Sequence, residues 1–357
     1  MIAIPYHIKY AKLLKPIADK LEEAGRMTEN KEFGKALKIQ AKALMDGSYD
    51  QATITWLKLK PYILDITIGP INHFDDQLFF GKASYQAWIG TLDQERTKKF
   101  ERYKEIALSN SRKALTPKER INNLNHIKIK TIDVILVSGF IARTKVVGIN
   151  LPMDDLSIIE KYGSEITLFN QLNSLRLKEQ ILPAFNKIFS PSFRQGFTEE
   201  DLKRGYLRIV VLHQLAHSYL YYRNSKKNLQ DLFPCIYELA ATVLGLRMTG
   251  SLLLQEVVTD KQLESMIVSF ISRSFYLMER RRVDKFMSNY GLGGTIFINF
   301  MRENGALKQS QHLIIPNFMK IFVLLHELSY ILEGLLAQGT RKDAENVIRK
   351  YEDFNLL

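Results

Sequence analysis

The sequence is poor in cysteine. With Cys235 alone among 357 residues, no internal disulfide can form, and a reducing, cytoplasmic setting is expected. Ten prolines and nineteen glycines are scattered, leaving no low-complexity tract, internal repeat or long linker. No apolar run reaches the roughly 18 residues that span a bilayer, so no membrane-spanning segment is expected. The opening ten residues have neither a continuous apolar region nor a small-residue cleavage site, so no secretion signal is expected either. Acidic residues are outnumbered, 38 to 50, which leaves a net charge of +12. The basic pairs Lys98–Lys99 and Lys226–Lys227 and the triplet Arg280–Arg282 are dispersed, and no nucleic-acid motif accompanies them, so they read as a solvated surface. What is present, 46% hydrophobic and 25% charged residues, suits a soluble globular chain with a substantial core.

Helical periodicity dominates. Residues 6–25, 29–46 and 93–108 alternate apolar pairs with charges at three- and four-residue spacing, with Pro16 expected to kink or interrupt the first segment. Branched residues at 131–138, 145–150 and 165–170 predict short strands. From 171 onward the pattern is again helical, and Asn289-Tyr-Gly-Leu-Gly-Gly294 is expected to be a flexible loop.

The most informative segment is His213-Gln-Leu-Ala-His217, followed twenty-one residues later by Glu238. Thr198 caps this predicted helix and Glu199, Glu200 and Asp201 occupy its first turn. Histidines four apart share a helix face. Glu238 lies in a second apolar helix, about 231–247, where a carboxylate needs a partner. Two imidazoles and a carboxylate are a ligand set for Zn2+ with one position open. In a chain with seven histidines such a pair also arises by chance, so spacing alone does not establish the site. A second apparent motif, His326-Glu327, has Tyr330 where the second histidine should be, and reads as plain helix. His126 and His312 read as surface residues.

Zinc peptidases carry His-Glu-x-x-His, and Gln214 here occupies the place of the glutamate that deprotonates water. The chain resembles the dipeptidyl-peptidase III family, in particular the shorter branch that also occurs fused behind Nudix hydrolase domains. Ile68-Gly-Pro-Ile-Asn-His-Phe-Asp-Asp76 is similar to that branch's Ile-Gly-Pro-Tyr-Glu-Thr-Tyr-Glu-Asp, and Gly81-Lys-Ala-Ser-Tyr85 follows it. Gly148-Ile-Asn-Leu-Pro-Met-Asp-Asp155 resembles an Asn-Leu-Pro-Asn-Asp segment, and residues 335–346 resemble the closing helix pair. The resemblance implies one α+β, predominantly helical unit over 1–357, two-lobed around a cleft that takes peptides. It would be mainly helical over 1–130, β-containing over 131–170, and helical and zinc-bearing over 171–357.

The resemblance makes His213, His217 and Glu238 the metal ligands and Asn150 a retained substrate-binding asparagine. The departures gather where chemistry should occur. Gln214 cannot accept a proton at neutral pH. Asn72 and Phe74 stand for a substrate-side glutamate and a tyrosine that polarises the scissile carbonyl. Met153 replaces a second asparagine, Tyr237 the first of a glutamate pair, and Thr242 an acidic residue that supports a ligating histidine. No histidine between His217 and His312 matches the family's further active-site histidine. Three readings follow. The preferred one is a zinc-binding pseudoenzyme with a peptide-binding or regulatory role, because the ligands persist while their supporting groups do not. The others are an enzyme of altered mechanism, using Asp75, Asp76 or Glu238 for proton transfer, and a metal-free basic interaction protein.

Overall fold

The computed structural model describes residues 4–72, 83–111, 126–152, 155–280, 288–311 and 313–353. Four helices open the chain: α1 (Tyr6–Lys9), α2 (Ala11–Met27), α3 (Lys31–Asp46) and α4 (Asp50–Lys58). Leu14, Ala18 and Leu21 of α2 meet Phe33, Leu37 and Ala41 of α3, the pairing their spacing dictates. The expected interruption falls at Tyr10 rather than Pro16. Pro16 forfeits one N–H bond inside α2, and the packed face keeps the helix whole.

Strands β1 (Leu64–Asn72) and β2 (Ser84–Leu92) precede α5 (Gln94–Ser111), β3 (Ile127–Gly139), α6 (Phe140–Thr144), β4 (Gly148–Leu151), α7 (Leu156–Tyr162) and β5 (Ser164–Phe169). They form one sheet in the order β1-β2-β3-β5-β4, antiparallel except for the β3–β5 pair. The fold is α+β and predominantly helical, as expected, but the sheet is wider than 131–170. β1 and β2 escape a reading by runs because Gly69, Pro70 and Gly90 interrupt their branched residues, and pairing of β1 with β2 and of β2 with β3 supplies what local propensity lacks.

The rest is a helical body: α8 (Asn170–Arg176), a π-helical turn (Leu177–Ile181), α9 (Leu182–Ile188), α10 (Pro191–Arg194), α11 (Glu199–His217), α12 (Ser225–Leu229), α13 (Phe233–Leu254), α14 (Asp260–Arg280), α15 (Ser288–Glu303), α16 (Phe318–Gln338) and α17 (Arg341–Tyr351). A hairpin of β6 (Leu307–Ser310) and β7 (Leu313–Pro316) interrupts the expected all-helical stretch. The expected flexible loop at 289–294 is instead the start of α15. Gly293 and Gly294 lie close to Leu239 and to Ser274, and this packing outweighs glycine's poor helix propensity. Residues Ser225–Leu254 and Phe318–Gln338 are long and apolar enough to cross a bilayer, yet 67% and 56% of their most apolar windows are buried in the fold. Their hydrophobicity serves the core, which links α11, α13, α14, α15 and α16.

Candidate metal centre

Helix α11 starts at a capping box: the Asp201 N–H donates to Thr198 Oγ1 (3.1 Å) and the Thr198 N–H to Asp201 Oδ2 (3.0 Å). Its last two turns carry His213 and His217. Helix α13 lies against it, and Gly245 permits the approach, since a Cβ there would sit 2.8 Å from the His213 amide nitrogen. Glu238, two turns earlier on α13, thereby faces both histidines.

The three side chains converge as expected. His213 Nε2 and His217 Nε2 are 3.1 Å apart, and Glu238 Oε2 lies 3.3 Å from the former and 3.7 Å from the latter. Zinc bonds of about 2.0–2.1 Å in a tetrahedron require ligand–ligand edges of about 3.3 Å, so the donor set fits a zinc ion. Among the described residues this is the one such group of three.

A hydroxyl contacts the far ring nitrogen of His213. Thr242 Oγ1 donates to the Glu238 carbonyl (3.1 Å) and lies 2.9 Å from His213 Nδ1. With that proton on the carbonyl, Oγ1 accepts from Nδ1–H, the tautomer that leaves the Nε2 lone pair toward the site. Thr242 is thereby placed to orient His213. His217 Nδ1 is buried with no such partner among the described residues. Burial pushes the His217 imidazole below its ordinary range despite the Glu238 carboxylate, which favours the neutral, ligating form. Burial also opposes charge on Glu238, but the two histidines outweigh it and hold the carboxyl well below the usual range.

The floor of the site is β4. Gln214 is buried, and its Nε2 donates to the Gly148 carbonyl at 3.1 Å. Asn150 Nδ2 donates to the Gln214 carbonyl and to Ser218 Oγ, both at 3.1 Å, which caps an otherwise unpaired carbonyl at the end of α11. Gly148 is needed here, because a Cβ would fall 2.7 Å from Val210 Cγ1. Tyr237 lies tilted against His217, with ring centroids 4.6 Å apart, and stacks on Phe233.

These groups line a cavity of about 270 Å³ between α11, α13, α14 and the sheet. It also holds residues that motif reading passed over: Arg176, Tyr206, Arg273 and Tyr290. Tyr290 is 37% exposed, and desolvation and the Glu238 carboxylate push its phenol up. The sequence signal for Arg273 was a single cation inside the apolar run Met266–Met278 of α14. Of the other expected site residues, Asn72 ends β1 as the partner of Ser84, and its side chain lies outside what the structure describes. Phe74, Asp75, Asp76, Met153 and His312 lie outside the described residues. His126 is exposed. His326 and Glu327 are exposed on α16, away from the triad's cavity.

No family model matches the sequence. A curated relative, Nudix hydrolase 3 of Arabidopsis thaliana, is 23% identical over 362 residues, covering 98% of this chain and 46% of that protein. The chain thus spans about half the length of the curated relative it matches, as expected for a branch also joined to Nudix domains. Dipeptidyl-peptidase III from Caldithrix abyssi superposes with a TM-score of 0.83 and 22% identity, over 99% of this chain and 68% of that one. The enzyme from Corallococcus sp. strain EGB superposes with a TM-score of 0.84 and 21% identity, over 99% and 66%.

Proposed function

We propose that this chain, which has the dipeptidyl-peptidase III fold, is a zinc-binding metallopeptidase homologue that captures peptides without cleaving them efficiently. The observation that carries the reading is the pairing of a convergent ligand set with a committed Gln214. His213, His217 and Glu238 would hold the ion, and zinc bound there would supply Lewis-acid polarisation of a ligand oxygen. Thr242 holds one imidazole in its ligating tautomer. Tyr237 and Phe233 form an aromatic wall beside His217, suited to an apolar side chain. Gln214 offers an amide in place of a base and uses its N–H on the fold, so general-base assistance, typically worth about 10²–10⁴-fold, is absent from that position. The single, buried Cys235 suits a reducing, cytoplasmic compartment.

The test compares binding with turnover on the same zinc-loaded protein. Short peptides should bind measurably by calorimetry, while release of N-terminal dipeptides should stay near the level of His217→Ala. Robust release by the wild-type protein, abolished by a chelator, would replace this reading with the altered-mechanism one. Absence of both zinc and peptide binding would leave the basic interaction protein.

A further inference from the structure

The cavity holds a second charged cluster that the metal does not explain. Arg176, the last residue of α8, and Arg273, on α14, are 7% and 6% exposed, and both line it. Among the described residues no carboxylate pairs with either. Arg176 is partly used by the fold: its Nη1 donates to Tyr206 Oη (3.2 Å), and its Nη2 to the carbonyls of Thr144 (3.2 Å) and Lys145 (2.7 Å). Arg273 shares the Tyr206 hydroxyl, and among the described residues its Nη1 is buried without a partner. Two neighbouring cations out of water, with an unused donor, are costly unless an anion joins them.

The surroundings register that positive field. Burial alone would raise the Tyr206 phenol, yet the two arginines overcome it and lower it below its ordinary value. Burial, with the Arg176 charge beside it, pushes the Arg273 guanidinium down to about 10, so it stays cationic at neutral pH.

We propose that Arg176 and Arg273, with the Tyr206 phenol between them, form a carboxylate-binding subsite in the same cavity as the metal triad. A guanidinium fork matches a planar carboxylate through paired N–H donors. Phe140, Phe270 and Leu277 also line the cavity and are apolar, which favours a single carboxylate on a hydrocarbon stem over a free phosphate needing donors on every side. Tyr206, Val210, His213 and His217 share one face of α11. Seven residues at 1.5 Å each therefore place the subsite about 10 Å along the helix from His213. Tyr290 lines the same cavity and feels the fields of Glu238 and of both arginines. The subsite requires neither bound metal nor peptide recognition.

The probes are adipate, its neutral diamide and inorganic phosphate, at constant ionic strength, on chelator-treated full-length protein. Adipate should raise the melting temperature and bind at least about tenfold more tightly than the diamide or phosphate. Arg273→Met should abolish that response while leaving the unliganded melting temperature unchanged or higher, since it removes a buried unpaired cation. His217→Ala should respond to adipate like wild type. Should Arg273→Met fail to fold, Tyr206→Phe, which keeps both cations, should weaken adipate about threefold or more. Equal responses to adipate and diamide, a response to phosphate alone, an adipate response surviving Arg273→Met, or one lost only in His217→Ala would each overturn the proposal.

Discussion

Gln214 donates its side-chain N–H to the carbonyl of Gly148 at 3.1 Å, so a residue between the two histidines fastens their helix to strand β4. A carboxylate there would set one acceptor against another.

Gln214→Glu should therefore destabilise the protein by about 1–3 kcal/mol at pH 7, read by urea unfolding. A protonated glutamic acid can still donate to Gly148, so folding raises its pKa. The penalty should be small below the unfolded value of about 4.3 and grow as pH rises above it. An equal gap from wild type at pH 4 and pH 7 would show that the glutamine is not needed as a donor. The variant should release dipeptides only weakly, and Gln214→Glu with Phe74→Tyr should release more, with His217→Ala as blank.

The metal-free protein should lose stability on acidification. Burial lowers the His217 pKa, so below about 6.5 the unfolded chain takes up the proton first, and stability falls toward the folded value. Glu238, whose folded pKa is also depressed, adds a loss of the same sign at lower pH. Purified protein should carry close to one zinc per chain by elemental analysis, and zinc should raise the melting temperature at pH 7. His217→Ala should abolish both zinc effects and flatten the pH 5–7 part of the stability curve. A metal-free wild type insensitive to added zinc would contradict the ligand assignment.

Thr242→Val keeps the side-chain shape but removes the acceptor for His213 Nδ1–H. Zinc affinity should fall by about 10–100-fold, while Thr242→Ser retains it. Competition with a chromogenic chelator gives the comparison, and equal affinities would mean that the hydroxyl does not orient the ligand.

Gly245→Ala would place a methyl group 2.8 Å from the His213 backbone nitrogen and from the Leu212 carbonyl carbon. Separating α11 from α13 should cost about 1–3 kcal/mol. It should also weaken zinc binding, because Glu238 moves with α13. A loss of stability with zinc affinity intact would show that the helices adjust without disturbing the triad.

The histidine pair was legible in sequence because its geometry is local: helix pitch alone places residues 213 and 217 on one face, and Thr198 with Asp201 marks where that helix begins. The strands at 127–139 and 164–169 were legible in part, over 131–138 and 165–169, through branched residues. Glu238 was legible as a lone carboxylate in apolar company, but its place beside the histidines needed the α11–α13 contact at Gly245. Tertiary structure alone turned 289–294 from a glycine loop into helix, joined β1 and β2 to the sheet, and brought Arg176 to Arg273. It also decided what Gln214 does. A side chain's chemistry is written in the sequence, whereas its hydrogen-bond partner is set by whichever backbone packs within about 3 Å of it, and here that backbone is Gly148, 66 residues away.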